Sequence, residues 1–489
     1  MITSCENYTN GKGILMTNLK KNPIFQIGCI IVAAVLVLGS LVIAPPEGLS
    51  PEGWTMLAIV IGAMILFISE AMPLAATCFM IIVTMKYTGV VGWKAIQQSA
   101  CSSTVFFCMA GFGIGAALQN TNLAAILLRA LYRLGKGDAR KMISAVCWLS
   151  AIISIFVSDG AAQIVVLAVV IGVVKAFGDP EPGTSRLAGG MMMAITVGAF
   201  TGGLFLPCSN SVNVAIMDLS EVVSGTPMTF FQWALFGIPC GLILTIFASW
   251  MLPRYFKPEQ LSEKQKSDVE KLFSEIPDHF EKKDKWYIVI TTIMIVLWFA
   301  SNWVKKVDTA TVAMAGMFLM MMPGINLLSA KDYKKNFSAM VVVTMLCIFP
   351  LASGMSSTGA GEWVVNKIFA DSANWNLIVI FIMATIAAFL VHCLVPQGSA
   401  NGALSATVIA PVLVGAGVPV SAAMALIGIQ AGTGFLFPIE GTWQYTFGTG
   451  HYSFTDCIKG NWPITLVGML CCVIVIPLLS MIFGGIGLI

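Results

Sequence analysis

Twice along this chain, an apolar segment of membrane-spanning length breaks at a short polar patch and then resumes as helix-forming sequence. Val105-Phe106-Phe107-Cys108-Met109, running on to Gln119-Asn120-Thr121, parallels Val342-Val343-Thr344-Met345-Leu346, running on to Ser356-Ser357-Thr358. Helix-forming sequence follows each, at Ala125 to Tyr132 and at Trp363 to Phe369. Further on, Gly203-Leu204-Phe205-Leu206-Pro207 through Asn213 mirrors Gly434-Phe435-Leu436-Phe437-Pro438 through Gln444. Both comparisons give an offset of about 230–237 residues, and two independent agreements argue for an internal repeat. Irregular backbone at membrane depth survives only where protein or a water-filled cavity covers it. Matching Gly/Pro-broken helices in two halves therefore point to a secondary transporter with its site near the bilayer midplane.

Apolar runs fall at about 24–44, 54–69, 73–90, 104–134, 142–177, 188–217, 229–252, 286–304, 309–328, 338–369, 375–395, 403–438 and 461–487. A crossing needs roughly 20 apolar residues, so 489 residues leave room for about a dozen crossings or half-crossings. Only 10% of residues are charged, against roughly 25% in soluble chains, and the mean hydropathy is +0.87. Too little charge remains to coat a water-facing surface, which excludes a cytosolic enzyme and a disordered scaffold. A net charge of +3 supplies no polybasic field for nucleic acid. The 13 cysteines are scattered, mostly inside apolar runs, and read as small hydrophobes rather than as metal ligands. No His-Glu-x-x-His, Gly-x-Ser-x-Gly or phosphate-loop sequence occurs, so neither an enzyme nor a nucleotide-driven pump is expected.

Residues 1–23 form a polar tail with Lys12, Lys20 and Lys21. The run from Ile24 to Ala44 is too long for a signal-peptide core and has no small-residue cleavage site after it, so it reads as a retained first transmembrane helix. Residues 24–253 are the first repeat half and 286–489 the second. Between them, 254–285 is the one hydrophilic stretch, with Lys264, Lys266, Glu270, Lys271, Glu275, Lys282, Lys283 and Lys285. The positive-inside rule places Lys20-Lys21, Arg129 to Lys141, Arg254 to Lys285 and Lys331 to Lys335 in the cytoplasm, as solvated loops. The N-terminus is then inside, and Asn7-Tyr8-Thr9, a glycosylation sequon by pattern, carries no meaning there.

Four polar breaks, two per half, interrupt the apolar surroundings: Val157 to Gln163, Phe205 to Asn213, Val395 to Gly402, and Phe437 to Gln444 continuing to His451. Small residues let backbone approach a ligand, helix N-termini favour an anion, and freed carbonyls can hold a cation. A shared substrate site is the expectation, with helix packing through small residues as the competing use. Asp159 is the sharpest single residue, because a carboxylate at membrane depth costs at least about 2.5–3.5 kcal/mol and by default marks function. It can carry a proton, hold Na+ or pair with a cationic substrate group; a structural bond to a neighbouring amide is the alternative. Glu440 has the same two readings, and Glu70 reads as a boundary residue. His392 reads as either protonatable or hydrogen-bonded in place. Asp218 and Glu221 are expected in a loop.

These breaks resemble those of the divalent anion:sodium symporter family, the dicarboxylate and citrate transporters of the ion-transporter superfamily, from about residue 24 to the end. Pro207-Cys208-Ser209-Asn210-Ser211-Val212-Asn213 matches the family's Pro-x-Gly-Thr-Pro-Pro-Asn break at its proline and asparagine, and Pro438 to Gln444 matches loosely. Phe447-Gly448-Thr449-Gly450-His451-Tyr452, followed by Asp456 to Pro463, is similar to the family's C-terminal segment. The family's first Ser-Asn-Thr is replaced by Ser158-Asp159-Gly160. The second is absent, its place falling at Gln397-Gly398-Ser399 or at Asn401-Gly402-Ala403.

The resemblance implies an all-helical polytopic protein of two inverted repeats, with about eleven transmembrane helices plus two re-entrant hairpins. It also implies a homodimer working as an elevator-type transporter, and a multi-pass place in a plasma (inner) membrane, bacterial in origin, is the expectation. Its cargo would be a small organic anion, foremost a di- or tricarboxylate, moved by ion coupling or by exchange. The substrate-binding residues would be Ser158, Asp159, Gly160, Asn210, Asn213, Ser399, Asn401, Thr442 and Gln444. Coupling would fall to Ser158, Asp159, Gly398 and Glu440, with Na+ at Asp159 and neighbouring carbonyls, or H+, and no other cofactor. Because Asp159 repels a dianion unless protonated or sodium-paired, a proton-coupled or exchange carrier of an amino-acid-like or sulfonate substrate stays open. A membrane-embedded enzyme or an anion channel is the remote alternative.

Overall fold

The computed structural model describes residues 22–69, 71–101, 103–225, 227–277, 279–300, 304, 308–337, 339–361, 363, 367, 376–394, 398–438, 440–485 and 487–488. The tail before residue 22, Glu70, Gln397 and most of 362–375 lie outside the described residues, as does the side chain of Ser399.

The described chain is all helix and connecting loop. The first half begins with α1 (Pro23–Val42), α2 (Pro51–Ser69), α3 (Leu74–Tyr87), α4 (Trp93–Ala100), α5 (Ser103–Leu118) and α6 (Leu123–Gly135). It continues with α7 (Ala139–Phe156), α8 (Asp159–Ala176), α9 (Arg186–Gly203), a 3-10 turn at Pro207–Ser209, α10 (Ser211–Ser224) and α11 (Phe230–Phe256). In the polar stretch lies α12 (Glu263–Ser274). After it come α13 (Lys282–Ala300), α14 (Thr309–Met321), α15 (Ala330–Asn336) and α16 (Ala339–Ser357). The last part holds α17 (Leu377–Leu394), α18 (Gly398–Val408), α19 (Ala410–Gly415), α20 (Val420–Gly432), a 3-10 turn at Gly441–Trp443, α21 (Gln444–Phe447), α22 (Phe454–Leu470), a π turn at Cys471–Val475 and α23 (Ile476–Gly485).

Helix starts recur at a near-constant spacing. α7, α8 and α9 begin at Ala139, Asp159 and Arg186, and α17, α18 and α20 begin at Leu377, Gly398 and Val420, each about 234–239 residues later. Pro23–Val42, Ala139–Phe156, Asp159–Ala176, Phe230–Phe256 and the continuous Phe454–Gly485 are long and apolar enough to cross a membrane. α5 and α6, bent by 62° at a short break, together have the length and apolarity of a broken span or a re-entrant loop. Shorter apolar helices of 10–17 residues supply the rest, which fits the expected number of crossings and hairpins. Large apolar side chains stand exposed on α1 (Ile24, Leu38, Val42) and along α22–α23 (Leu466, Ile474, Met481). A hydrocarbon solvent makes such faces stable where water would not.

The centre of the fold is α9, in which every residue from Leu187 to Gly203 is buried. A helix apolar on all sides belongs inside other helices. It packs on α7 through Gly190, Gly198 and Gly202: a methyl added at Gly198 or Gly202 would land on the carbonyls of Cys147 and Ala151. Close approach of this kind maximises dispersion contact, which drives helix association in lipid. Hydroxyls reinforce it, since Ser150 donates to the Ile195 carbonyl at 2.6 Å and Ser154 to Ala199 at 2.7 Å.

Three expectations are corrected. Asp218 and Glu221 are not in a loop; α10 continues through both and stops at Gly225, whose φ of 74° only glycine adopts freely. The polar stretch is not simply solvated, because α12 docks with Val269 and Phe273 buried and the Phe273 ring 5.0 Å from that of Tyr132. Arg129 does not sit in a solvated cluster. It is buried on α6 and donates to the carbonyls of Ile276 (2.6 Å), Pro277 (2.8 Å) and Phe273 (3.4 Å), groups the end of α12 leaves without intrahelical partners.

Candidate functional site

The first three polar breaks prove shorter than their sequence suggests, because their polar residues are absorbed into the first turn of the next helix. Ser158 caps α8, its hydroxyl accepting from the Ala161 amide at 3.4 Å, so only Val157 and Ser158 are non-helical. Asn210 caps α10, its Oδ1 accepting from the Val212 amide at 2.9 Å. α18 starts at Gly398, which places Asn401 inside its first turn. In the fourth break the chain is irregular from Thr433 to Pro438 and at Glu440, then turns through Gly441–Trp443 into α21.

The four helix starts converge. Asp159 Oδ1 accepts from the Gly160 amide at 2.7 Å, and its Oδ2 accepts from Asn210 Nδ2 at 3.1 Å, joining the first and second breaks. A Cβ on Gly160 would lie 3.6 Å from Thr442 Cγ2 and 3.8 Å from Tyr445, joining the first and fourth. The Gly398 amide donates to Glu440 Oε1 at 3.1 Å, joining the third and fourth. A Cβ on Gly398 would sit 2.8 Å from Val212 and 3.0 Å from Glu440, so glycine is required for that approach. Glu440 lies within electrostatic reach of Asp159.

Several buried polar atoms here have no partner among the described residues. Asn213 donates to the carbonyls of Gly203 (2.6 Å) and Leu206 (3.0 Å), bracing the break, and its Oδ1 is left open. Asn401 accepts from Ser405 at 3.2 Å, and its Nδ2 is open. Thr442 Oγ1 is open as well. Unpaired groups of this kind are costly inside a protein and fit a site awaiting a ligand. The set offers both characters: amide and hydroxyl donors for an anion, and a carbonyl with two carboxylates for a cation.

Of the other candidates, Ser399 and Gln444 open α18 and α21, but their side chains lie outside the described set. His392 is held in place: Nδ1 shares a hydrogen bond with the Gln430 carbonyl at 3.2 Å and the ring packs on Gly434. Thr196, Thr446 and Tyr452 escape a reading of the sequence. They join Gln163 in a buried chain running Gln163 Oε1, Thr196 Oγ1, Thr446 Oγ1 and Tyr452 OH at successive distances of 3.1, 2.5 and 2.9 Å. The available signal is that Gln163 lies four residues after Asp159, one turn along the same helix face. No single threonine in an apolar run gives it away.

A multi-pass helical membrane protein whose broken helices gather polar groups in this way is, by class, a transporter. The sequence matches the profile of the sodium:sulfate symporter transmembrane region over residues 26–486. The chain belongs to this family, the divalent anion:sodium symporters its motifs resemble, and is a transporter rather than an enzyme. It is 22% identical over 495 residues to the sodium-dependent dicarboxylate transporter SdcS of Staphylococcus saprophyticus, covering 95% of this chain and 93% of that protein. To the putative malate transporter YflS of Bacillus subtilis it is 23% identical over 353 residues, 70% of this chain and 72% of that one. Its fold is similar to that of MtrF of Neisseria gonorrhoeae, described as illuminating a class of antimetabolite efflux pumps. The TM-score is 0.57 at 15% identity, over 96% of this chain and 97% of that one.

Proposed function

We propose that this protein is an ion-coupled carrier of a small organic dianion, foremost a C4 dicarboxylate, working by elevator-type alternating access between two inverted repeats in a homodimer. The observation that carries the reading is the convergence of four helix starts around Asp159, Asn210, Gly398 and Thr442. Helix N-termini aimed at one region favour an anion, and the names of SdcS and YflS suggest which anion. Two carboxylates in the same place, Asp159 and Glu440, would repel a dianion. A cation must enter with it, and Asp159, Glu440 and the open Asn213 Oδ1 provide oxygen ligands for Na+ or carboxylates for H+. Coupling then follows from charge: the anion binds well only when the cation is present.

The same pair of carboxylates favours a second reading, a carrier or exchanger of a substrate with an amino group, whose cation would pair with Asp159 directly. Uptake of labelled succinate into proteoliposomes separates them. The runs would use a sodium gradient, a proton gradient, or unlabelled diacid inside. Sodium- or proton-driven uptake supports the coupled carrier, and uptake needing only internal diacid makes it an exchanger. No succinate uptake, with uptake of an amino acid instead, overturns the dicarboxylate.

A further inference from the structure

A buried run of hydroxyls joins Tyr452 to Gln163 and leaves one end of the Gln163 carboxamide free. Thr196 donates to Gln163 Oε1. Having one proton, Thr196 must then accept from Thr446, and Thr446 must accept from Tyr452. In this direction every hydroxyl proton is used. The Tyr452 hydroxyl also lies within hydrogen-bonding reach of Thr196, so the three hydroxyls form one buried cluster against the Gln163 oxygen. Tyr452 is buried, at 4% exposure. The cluster meets the Gln163 carboxamide with its oxygen toward Thr196 and its nitrogen away from it. That nitrogen is the open atom: Gln163 is fully buried and its Nε2 has no partner among the described residues.

We infer that Gln163 is a substrate-binding residue, donating from Nε2 to an oxygen of the transported anion, and that Tyr452 is the positioning residue that holds it. An N–H group serves no cation, so the chemistry selects an anionic or carbonyl oxygen as its partner. Gln163 stands one helical turn after Asp159 on α8, which puts the donor just beyond the carboxylate. The inference rests on the transporter reading above and adds to it a contact that no motif of the sequence marks.

The test uses the full-length protein, its Gln163→Met and Tyr452→Phe variants, and two readouts. The first is thermal stability of the purified protein in Na+ with succinate, malate, citrate, sulfate or phosphate. Wild type should be stabilised by at least one of these anions and Gln163→Met should lose that response. The second is labelled succinate uptake. Gln163→Met should raise KM about tenfold or more, the usual cost of losing a hydrogen bond to a charged group, with the half-saturating Na+ concentration unchanged. Tyr452→Phe should raise KM by a smaller factor while Vmax holds, because the amide is freed to flip but not removed. An anion response or KM in Gln163→Met equal to wild type overturns the inference while leaving the carrier intact. If sulfate or phosphate but not succinate stabilises wild type, the dicarboxylate reading fails and Gln163 is judged on that anion. A wild type stabilised by none of them overturns both.

Discussion

Asn210 donates its side-chain nitrogen to the Asp159 carboxylate across 3.1 Å while its oxygen caps the helix it starts. One carboxamide thus ties the beginning of α10 to the beginning of α8. Asp159→Asn keeps the size of the side chain and removes its charge. Transport should be abolished or lose its ion dependence, with the protein still folded and eluting as wild type in size-exclusion chromatography. Unchanged uptake with unchanged ion dependence would remove Asp159 from the coupling mechanism.

Glu440 has two separable tasks, capping α18 at the Gly398 amide and bringing charge beside Asp159. Glu440→Gln retains the acceptor oxygen and should leave thermal stability near wild type while changing the ion dependence of uptake. Glu440→Leu also removes the cap, worth about 1 kcal/mol, and should lower the melting temperature. Equal melting temperatures for the two variants would show that the cap is not structural.

Gly202 meets the backbone of α7 so closely that a side chain has nowhere to go. Backbone must move, and overpacking in a core costs about 1–3 kcal/mol or more. Gly202→Val should therefore express poorly or melt well below wild type, whereas the same change at Gly225, where no atom lies within 4 Å of a new Cβ, fails only through its φ of 74°. Similar melting temperatures for Gly202→Val and wild type would mean that α7 can shift away from α9 at little cost.

Glu259, in the loop after α11, receives the Arg186 amide at 3.1 Å, the Leu187 amide at 3.3 Å and the Ser185 hydroxyl at the start of α9. Partial burial raises its pKa, but the Ser185 hydroxyl and the backbone amides outweigh that and hold it below the usual glutamate value. A depressed folded-state pKa gives stability that is complete above the unfolded value of about 4.3 and is lost as pH falls through the folded value. Wild type should lose melting temperature below about pH 4.5 more steeply than Glu259→Gln, and the two curves should converge in acid. Parallel curves would remove Glu259 from the acid response.

Arg129 holds three carbonyls at the end of α12 with one buried guanidinium. Arg129→Met keeps the packing of the stem and abandons the carbonyls of Ile276 and Pro277, while that of Phe273 keeps the Ile276 amide; a buried carbonyl without a partner costs about 1–3 kcal/mol. Faster hydrogen exchange confined to residues 263–277 is the expected result. Protection unchanged there would mean that Val269 and Phe273 suffice to dock α12.

Much of this site is legible in the order of the amino acids. The offset between Gly203 and Gly434 locates two breaks, and the lone carboxylate of Asp159 in an apolar run marks a third, because hydrocarbon and backbone both impose rules that act on residues near in sequence. The extent of each break is not legible. Asp159 to Gln163 look like a polar interruption, yet Ser158 caps them into α8, since a cap turns polar residues into the first turn of a helix. Arg129 and Asp218 mislead for a related reason: charge suggests solvent unless partners from distant segments are known, and the carbonyls that bind Arg129 lie about 145 residues away.

A helical membrane protein with interruptions in its helices thus follows from local chain physics. Hydrocarbon length, hydrogen-bond satisfaction and the positions of glycine and proline are enough to dictate it. Folding in three dimensions is needed to bring Asn210 to Asp159, to set Glu440 over Gly398, and to join Tyr452 to Gln163 through two threonines from nearly three hundred residues away. Such pairings depend on how helices pack, and packing is fixed by shape complementarity over the whole surface of α9, which no local pattern encodes.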